Sequence, residues 1–151
     1  KDCLLKTSEV ISKCYEELDL HNVDLKGTIL KPNMILPGTN SDEKLSNEEI
    51  AELTLECLKN NVPSTVPGIA FLSGGQTEIE ATAYLNQINI KNDTDFTMTY
   101  SYGRALQQSA LKFWSKDINN IIGTQEIFDH RAKMCTLASQ GKWSANLENT
   151  K

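Results

Sequence analysis

Gly27-Thr28-Ile29-Leu30-Lys31-Pro32-Asn33-Met34 is the stretch on which the reading of this chain turns. Thr28, Ile29 and Leu30 predict a short strand, because β-branched residues suit a pleated surface. Gly27 marks its entry, and Pro32, with no N–H to donate, stops the ladder just past Lys31. Side chains alternate along a strand, so Lys31 shares a face with Ile29 while Thr28 and Leu30 share the other. A lysine on an apolar face is held partly out of water, which disfavours its charged form and lowers its pKa. A neutral amine attacks carbonyls and forms a Schiff base. Taken alone, a lysine at a strand end is more often a solvated charge. Two further segments give this one company.

On the amino-terminal side, residues 1–20 carry Leu4, Leu5, Val10, Ile11, Cys14, Tyr15 and Leu18 at helical spacing, which predicts an amphipathic helix. On the carboxyl-terminal side, residues 37–45 read as a loop. Ser46 and Glu49 form a capping box that opens a helix to about Asn60. Val62-Pro63 and Val66-Pro67 end it. Gly68 to Leu72 is a continuous apolar strand, of the kind buried on both faces of a parallel sheet. The turn Ser73-Gly74-Gly75-Gln76 leads into a helix from Thr77 to Ile88. Phe96 to Tyr100 is a third strand, and Ser101-Tyr102-Gly103 turns it into a helix from Arg104 to Trp114. Thr124 is a candidate cap for a last helix that Gly141 closes. Residues 143–151 read as a frayed polar tail. Strand alternating with helix implies parallel strands with helices outside. The strand-end positions 31, 73 and 101 are 42 and 28 residues apart, which suits βαβ units.

Composition excludes several classes of function. With 15 basic and 20 acidic residues the net charge is −5, which argues against nucleic-acid or anionic-membrane binding. There is no apolar run long enough for a transmembrane helix and no signal-peptide core at the start. Cys3, Cys14, Cys57 and Cys135 form no C-x-x-C pair, so metal or redox chemistry has no support, and they read as small buried hydrophobes of a reducing, cytoplasmic setting. His21 and His130 have no partner close in sequence. The chain opens in a helical pattern without a methionine, which suggests a piece of something longer.

All three strands end in polar residues: Lys31, then Ser73-Gly74-Gly75, then Ser101-Tyr102-Gly103-Arg104. In a (β/α)8 barrel the active site lies at the carboxyl ends of the strands, often with a phosphate site after the last two. Gly74 and Gly75 let backbone approach an anion and donate to it. Arg104 offers a planar fork of donors. Each signal has a bland alternative, a plain turn or a solvated arginine, and their weight comes from sharing one end of one sheet.

Those three segments resemble class I fructose-bisphosphate aldolases, with further matches at Glu48-Glu49-Ile50-Ala51, Val66-Pro67-Gly68-Ile69, Leu85-Asn86-Gln87-Ile88-Asn89 and Gln140-Gly141-Lys142. The resemblance is collinear over essentially the whole chain. It implies an α/β fold, a partial (β/α)8 TIM barrel with an extra carboxyl-terminal helix. Residues 1–142 would form the last three βα units of a single barrel domain and 143–151 a truncated tail. It implies Lys31 as the Schiff-base lysine, with Ser73, Gly74, Gly75, Ser101, Gly103 and Arg104 binding the substrate phosphate. The activity it implies is reversible cleavage of fructose 1,6-bisphosphate to dihydroxyacetone phosphate and glyceraldehyde 3-phosphate, with no metal or cofactor beyond the covalent Schiff base. Sugar phosphates would be the small-molecule partners, the location cytoplasmic and the full-length family assembly a homotetramer. The family's acid–base glutamate matches no residue here, so a fragment is expected. A non-catalytic half-barrel that keeps phosphate binding or a scaffolding surface is the alternative. A different Schiff-base barrel enzyme is a third reading.

Overall fold

A computed structural model describes residues 2–38 and 40–149. Three parallel strands lie in the order of the sequence: β1 (Ile29–Leu30), β2 (Gly68–Phe71) and β3 (Thr97–Tyr100). Five helices accompany them: α1 (Asp2–Leu20), α2 (Asn47–Asn61), α3 (Glu78–Lys91), α4 (Arg104–Trp114) and α5 (Ile121–Ala138). Short 3-10 turns span Leu25–Gly27 and Ala145–Asn149. The expected alternation of strand and helix is therefore present. In the ladder Ile29 pairs with Gly68 and Leu30 with Ile69, and Gly68 to Phe71 pair with Thr97 to Tyr100.

Local chemistry explains the helix starts. Ser46 and Glu49 form the reciprocal capping box of α2, and Thr77 and Glu80 form another at α3. Gly141 has φ 66°, and the Lys142 N–H donates to the Leu137 carbonyl while the Gly141 N–H donates to that of Ala138. This is the Schellman closure that a glycine permits after α5. Ile69 and Phe71 of β2 and Met98 of β3 join Ile50, Leu55 and Leu58 of α2 and Leu85 and Ile88 of α3 in one buried cluster.

Several expectations change. β1 is shorter than 28–31, because Thr28 belongs to the preceding turn: its N–H and hydroxyl both bond the Leu25 carbonyl. β2 is closed on its helix side, where Ile69 and Phe71 are fully buried, but Ala70 on the other side is only half-buried. Burial on both faces is thus not complete. α5 starts at Ile121, ahead of Thr124, whose hydroxyl instead donates to the Asn120 carbonyl within the helix. Of the cysteines only Cys57 and Cys135 are buried, while Cys14 is exposed. In α1 the stripe is narrower than predicted: Ile11 and Tyr15 are buried, Leu5 and Val10 exposed.

The largest change concerns the end of the chain. Residues 143–149 are not frayed. The Trp143 N–H donates to Asn86 Oδ1 of α3 at 2.9 Å, and Glu148 pairs with Arg131 of α5 through both carboxylate oxygens at 2.7 Å. Polarity in the sequence does not mean exposure here, because the polar groups are one another's partners. Residues 1, 39, 150 and 151, which the predicted first helix, loop and tail include, lie outside the described residues.

Candidate active site

The ladder continues past each strand. The Leu72 N–H donates to the Pro32 carbonyl at 3.0 Å and the Ser101 N–H to the Phe71 carbonyl at 2.8 Å. The segments after β1, β2 and β3 therefore emerge level at one edge of the sheet, with neighbouring strands spaced ~4.8 Å apart.

Lys31 follows β1 directly and is exposed. The expectation that Ile29's face would hold it partly out of water is overturned, since Ile29 itself is 67% exposed. The sheet face that carries Ile29, Ala70, Thr97 and Thr99 is uncovered relative to the opposite one, where the helices pack. Water thus reaches the surroundings of Lys31 in this chain.

Ser73 is buried, at 7% exposure. It opens a four-residue turn closed by the Gln76 N–H donating to its carbonyl at 3.2 Å. Gly75 sits third in that turn with φ 78°, the requirement of a type II turn. An L side chain there costs about 1–2 kcal/mol. We accordingly expect Gly75→Ala to lower stability by about that much in urea unfolding, and an unchanged midpoint would contradict the turn geometry.

Ser101 is exposed and precedes the buried Tyr102, whose hydroxyl donates to the Ala81 carbonyl of α3 at 2.9 Å. Burial pushes the Tyr102 phenol well above its ordinary pKa, so it acts as a neutral anchor for this turn. Gly103 is the cap residue of α4 and supplies no side-chain cap, which leaves the first N–H groups of the helix open. Arg104, exposed, is the first helical residue. An uncapped helix start favours anions through its free N–H groups and its dipole. Across the helices, Glu78 at the start of α3 accepts from both the N–H and the hydroxyl of Ser109 in α4, which fixes one helix against the other.

Two residues that sequence reasoning left without a role lie among these groups. Asn33 and Gln76 hydrogen-bond each other, and Asn33 also bonds the Gly74 carbonyl. Asn33 stands two residues beyond Lys31, but its partners are 41 and 43 residues away, and nothing local announces such a pairing. Among the described residues there is no group of three or more His, Cys, Asp or Glu side chains placed to hold a metal, and no helix is long and apolar enough to cross a membrane.

Parallel strands, each followed by a helix, with polar turns gathered at their carboxyl ends, place this chain among the α/β barrel proteins. A family model described as fructose-bisphosphate aldolase class-I matches residues 1–151, and the chain belongs to that family. A probable class 1 fructose-bisphosphate aldolase of Xylella fastidiosa is 46% identical over 138 residues, which is 91% of this chain and 41% of the relative. A cytosolic fructose-bisphosphate aldolase of Arabidopsis thaliana is 44% identical over 147 residues, 97% of this chain and 37% of the relative. The solved fructose-bisphosphate aldolase of Plasmodium falciparum, in a complex with TRAP and a small-molecule inhibitor, matches with a TM-score of 0.91 at 38% identity, over 95% of this chain and 41% of that one. This chain thus spans well under half the length of these relatives.

Proposed function

We propose that this chain carries the Schiff-base lysine and the phosphate anchor of a metal-independent class I fructose-bisphosphate aldolase. The observation that supports this reading most is the shared edge at which the ends of β1, β2 and β3 emerge, joined by the bonds from Leu72 to Pro32 and from Ser101 to Phe71. Lys31 supplies the nucleophile. Ser73, Gly74 and Gly75 on one side, and Ser101, Gly103 and Arg104 on the other, hold the ketone-side phosphate. Continuing the register puts Lys31 level with Ala70, three residues before Ser73 and so roughly 10 Å along the strand. An extended lysine and a bound triose phosphate span that gap.

The chemistry follows. The uncharged amine of Lys31 bonds to C2 of the ketose, and the C2 oxygen leaves as water to give an iminium. The C4 hydroxyl loses its proton, the C3–C4 bond breaks, and its electron pair passes to the iminium nitrogen as an enamine forms. The released C4 fragment is glyceraldehyde 3-phosphate. Protonation at C3 and hydrolysis of the imine return Lys31 and dihydroxyacetone phosphate. The iminium is the electron sink, a task that a metal performs in other lyases. No carboxylate of this chain is matched to the base that takes the C4 proton. The cytosolic relative supports a cytoplasmic location.

Arg104→Ala tests the anchor. Hydrogen bonds to charged groups are worth ~1.5–3 kcal/mol, so binding of dihydroxyacetone phosphate measured by calorimetry is expected to weaken roughly 10- to 100-fold. Unchanged affinity would contradict the assignment. The second reading, a phosphate-binding half-barrel without catalysis, is favoured by the exposure of Lys31. Turnover of fructose 1,6-bisphosphate by the purified chain excludes that second reading.

A further inference from the structure

We propose that Asn33 is a positioning residue that ties the end of the lysine-bearing strand to the Ser73–Gln76 turn and aims the amides of that turn at a phosphate. The inference rests on the reading of this turn as a phosphate anchor and names the group that sets its shape. Asn33 Nδ2 donates to the Gly74 carbonyl at 3.1 Å, and its Oδ1 accepts from Gln76 Nε2 and from the Met34 N–H, each at 3.0 Å. One side-chain amide therefore grips the second and fourth residues of the turn and fixes its own backbone as well.

Ser73 is buried, but few hydrogen bonds brace the rest of that turn. Gly74 and Gly75 have no side chains to pack, and the bond from Gln76 to Ser73 is its one internal link among the described residues. Beside it lies a cavity of about 560 Å³, lined also by Cys3 and Thr7 of α1, Leu36, and Glu80 and Tyr84 of α3. Packing thus does not hold the turn from that side. A Cβ on Gly74 would lie 3.1 Å from Leu72 Cδ1 and 3.6 Å from Asn33 Nδ2, so the Leu72 side chain and the Asn33 amide both lie close to the turn.

The consequence for an anion is geometric. Across a trans peptide the C=O and the following N–H point in opposite directions. By drawing the Gly74 carbonyl to itself, Asn33 turns the Gly75 N–H the other way. That N–H has no hydrogen-bond acceptor among the described residues. Without the Asn33 bond, two consecutive glycines leave the peptide plane free to rotate.

The test uses the wild-type chain and Asn33→Ala, a neutral change at an exposed residue. Inorganic phosphate is titrated into each isotope-labelled protein while the Gly74 and Gly75 amide resonances are followed. The variant is expected to bind phosphate about 10-fold more weakly, the loss of a single aiming hydrogen bond. In parallel, dihydroxyacetone, which carries no phosphate, is trapped on Lys31 with borohydride. The variant is expected to match the wild type there within about 2-fold, since aiming a phosphate turn does not alter the amine. Equal phosphate affinity in the two proteins, or an equal loss in both assays, overturns the proposal. If the wild type binds phosphate through these amides but gives no Lys31 adduct, the aldolase reading falls and the phosphate comparison still decides the role of Asn33. If the wild type shifts neither glycine amide, both fall.

Discussion

Glu148→Ala is expected to lower the free energy of unfolding by about 3–5 kcal/mol, the usual cost of removing one partner from a buried ion pair. Arg131 is 5% exposed, and its Nη1 and Nη2 donate to Glu148 Oε2 and Oε1 at 2.7 Å each. The same carboxylate accepts from Trp143 Nε1 at 2.7 Å and lies 3.6 Å from His130 Nε2. Thr82 Oγ1 takes a second bond from Nη2 at 3.0 Å, while Arg131 Nε is buried without a partner. Without Glu148 the guanidinium keeps its charge and loses its counter-ion, and Trp143 loses an acceptor. Arg131→Met combined with Glu148→Leu is expected to recover most of the loss, because two apolar groups leave no charge stranded. Urea unfolding of the three proteins measures this, and a single-variant loss under about 1 kcal/mol would show the pair to be solvated.

Acid should open the same clasp. Burial pushes the Glu148 carboxyl up, but the hydrogen bonds from Arg131 and Trp143 and the arginine's charge outweigh it and hold the carboxyl below the ordinary glutamate range. A lowered folded-state pKa stabilises above the unfolded value, about 4.3, and that stability is lost as pH falls through the folded-state value. The clasp is therefore at full strength at neutral pH. The difference between wild type and Glu148→Ala is expected to shrink below about pH 4.

Lys31→Met is the second large effect, and its signature is a split between capture and binding. Methionine keeps an unbranched side chain of similar reach but has no amine, so covalent capture of dihydroxyacetone phosphate should vanish. The proposed phosphate anchor stands on the segments after β2 and β3, where the variant changes nothing. Noncovalent affinity for inorganic phosphate should therefore stay within about 3-fold of the wild type. Loss of phosphate binding together with capture would mean that Lys31 acts as a simple cationic contact.

The strands and most helices could be read from the chain because their signals are local. Ser46 with Glu49, Thr77 ahead of the third helix, the apolar run of 68–72 and Gly141 each act within a few residues. What could not be read depends on partners distant in sequence. Trp143 to Glu148 carry no local sign of order, because their partners Arg131 and Asn86 come from other helices. The surroundings of Lys31 are not legible locally, because strand alternation says which face a residue takes and says nothing of what covers that face. Ile29, 67% exposed, shows the cover to be missing there. Asn33 lay inside the deciding stretch, yet its partner glycine is 41 residues away.

In the proposed function the Lys31 amine bonds covalently to a ketose phosphate anchored by the two neighbouring strand ends. Peptide mapping of the wild-type chain after incubation with dihydroxyacetone phosphate and borohydride reduction measures this directly. The expected result is a single reduced triose-phosphate adduct, on the peptide that contains Lys31, and its suppression by excess inorganic phosphate. A folded chain with no adduct, or with the adduct spread over other lysines such as Lys26 and Lys112, would contradict it.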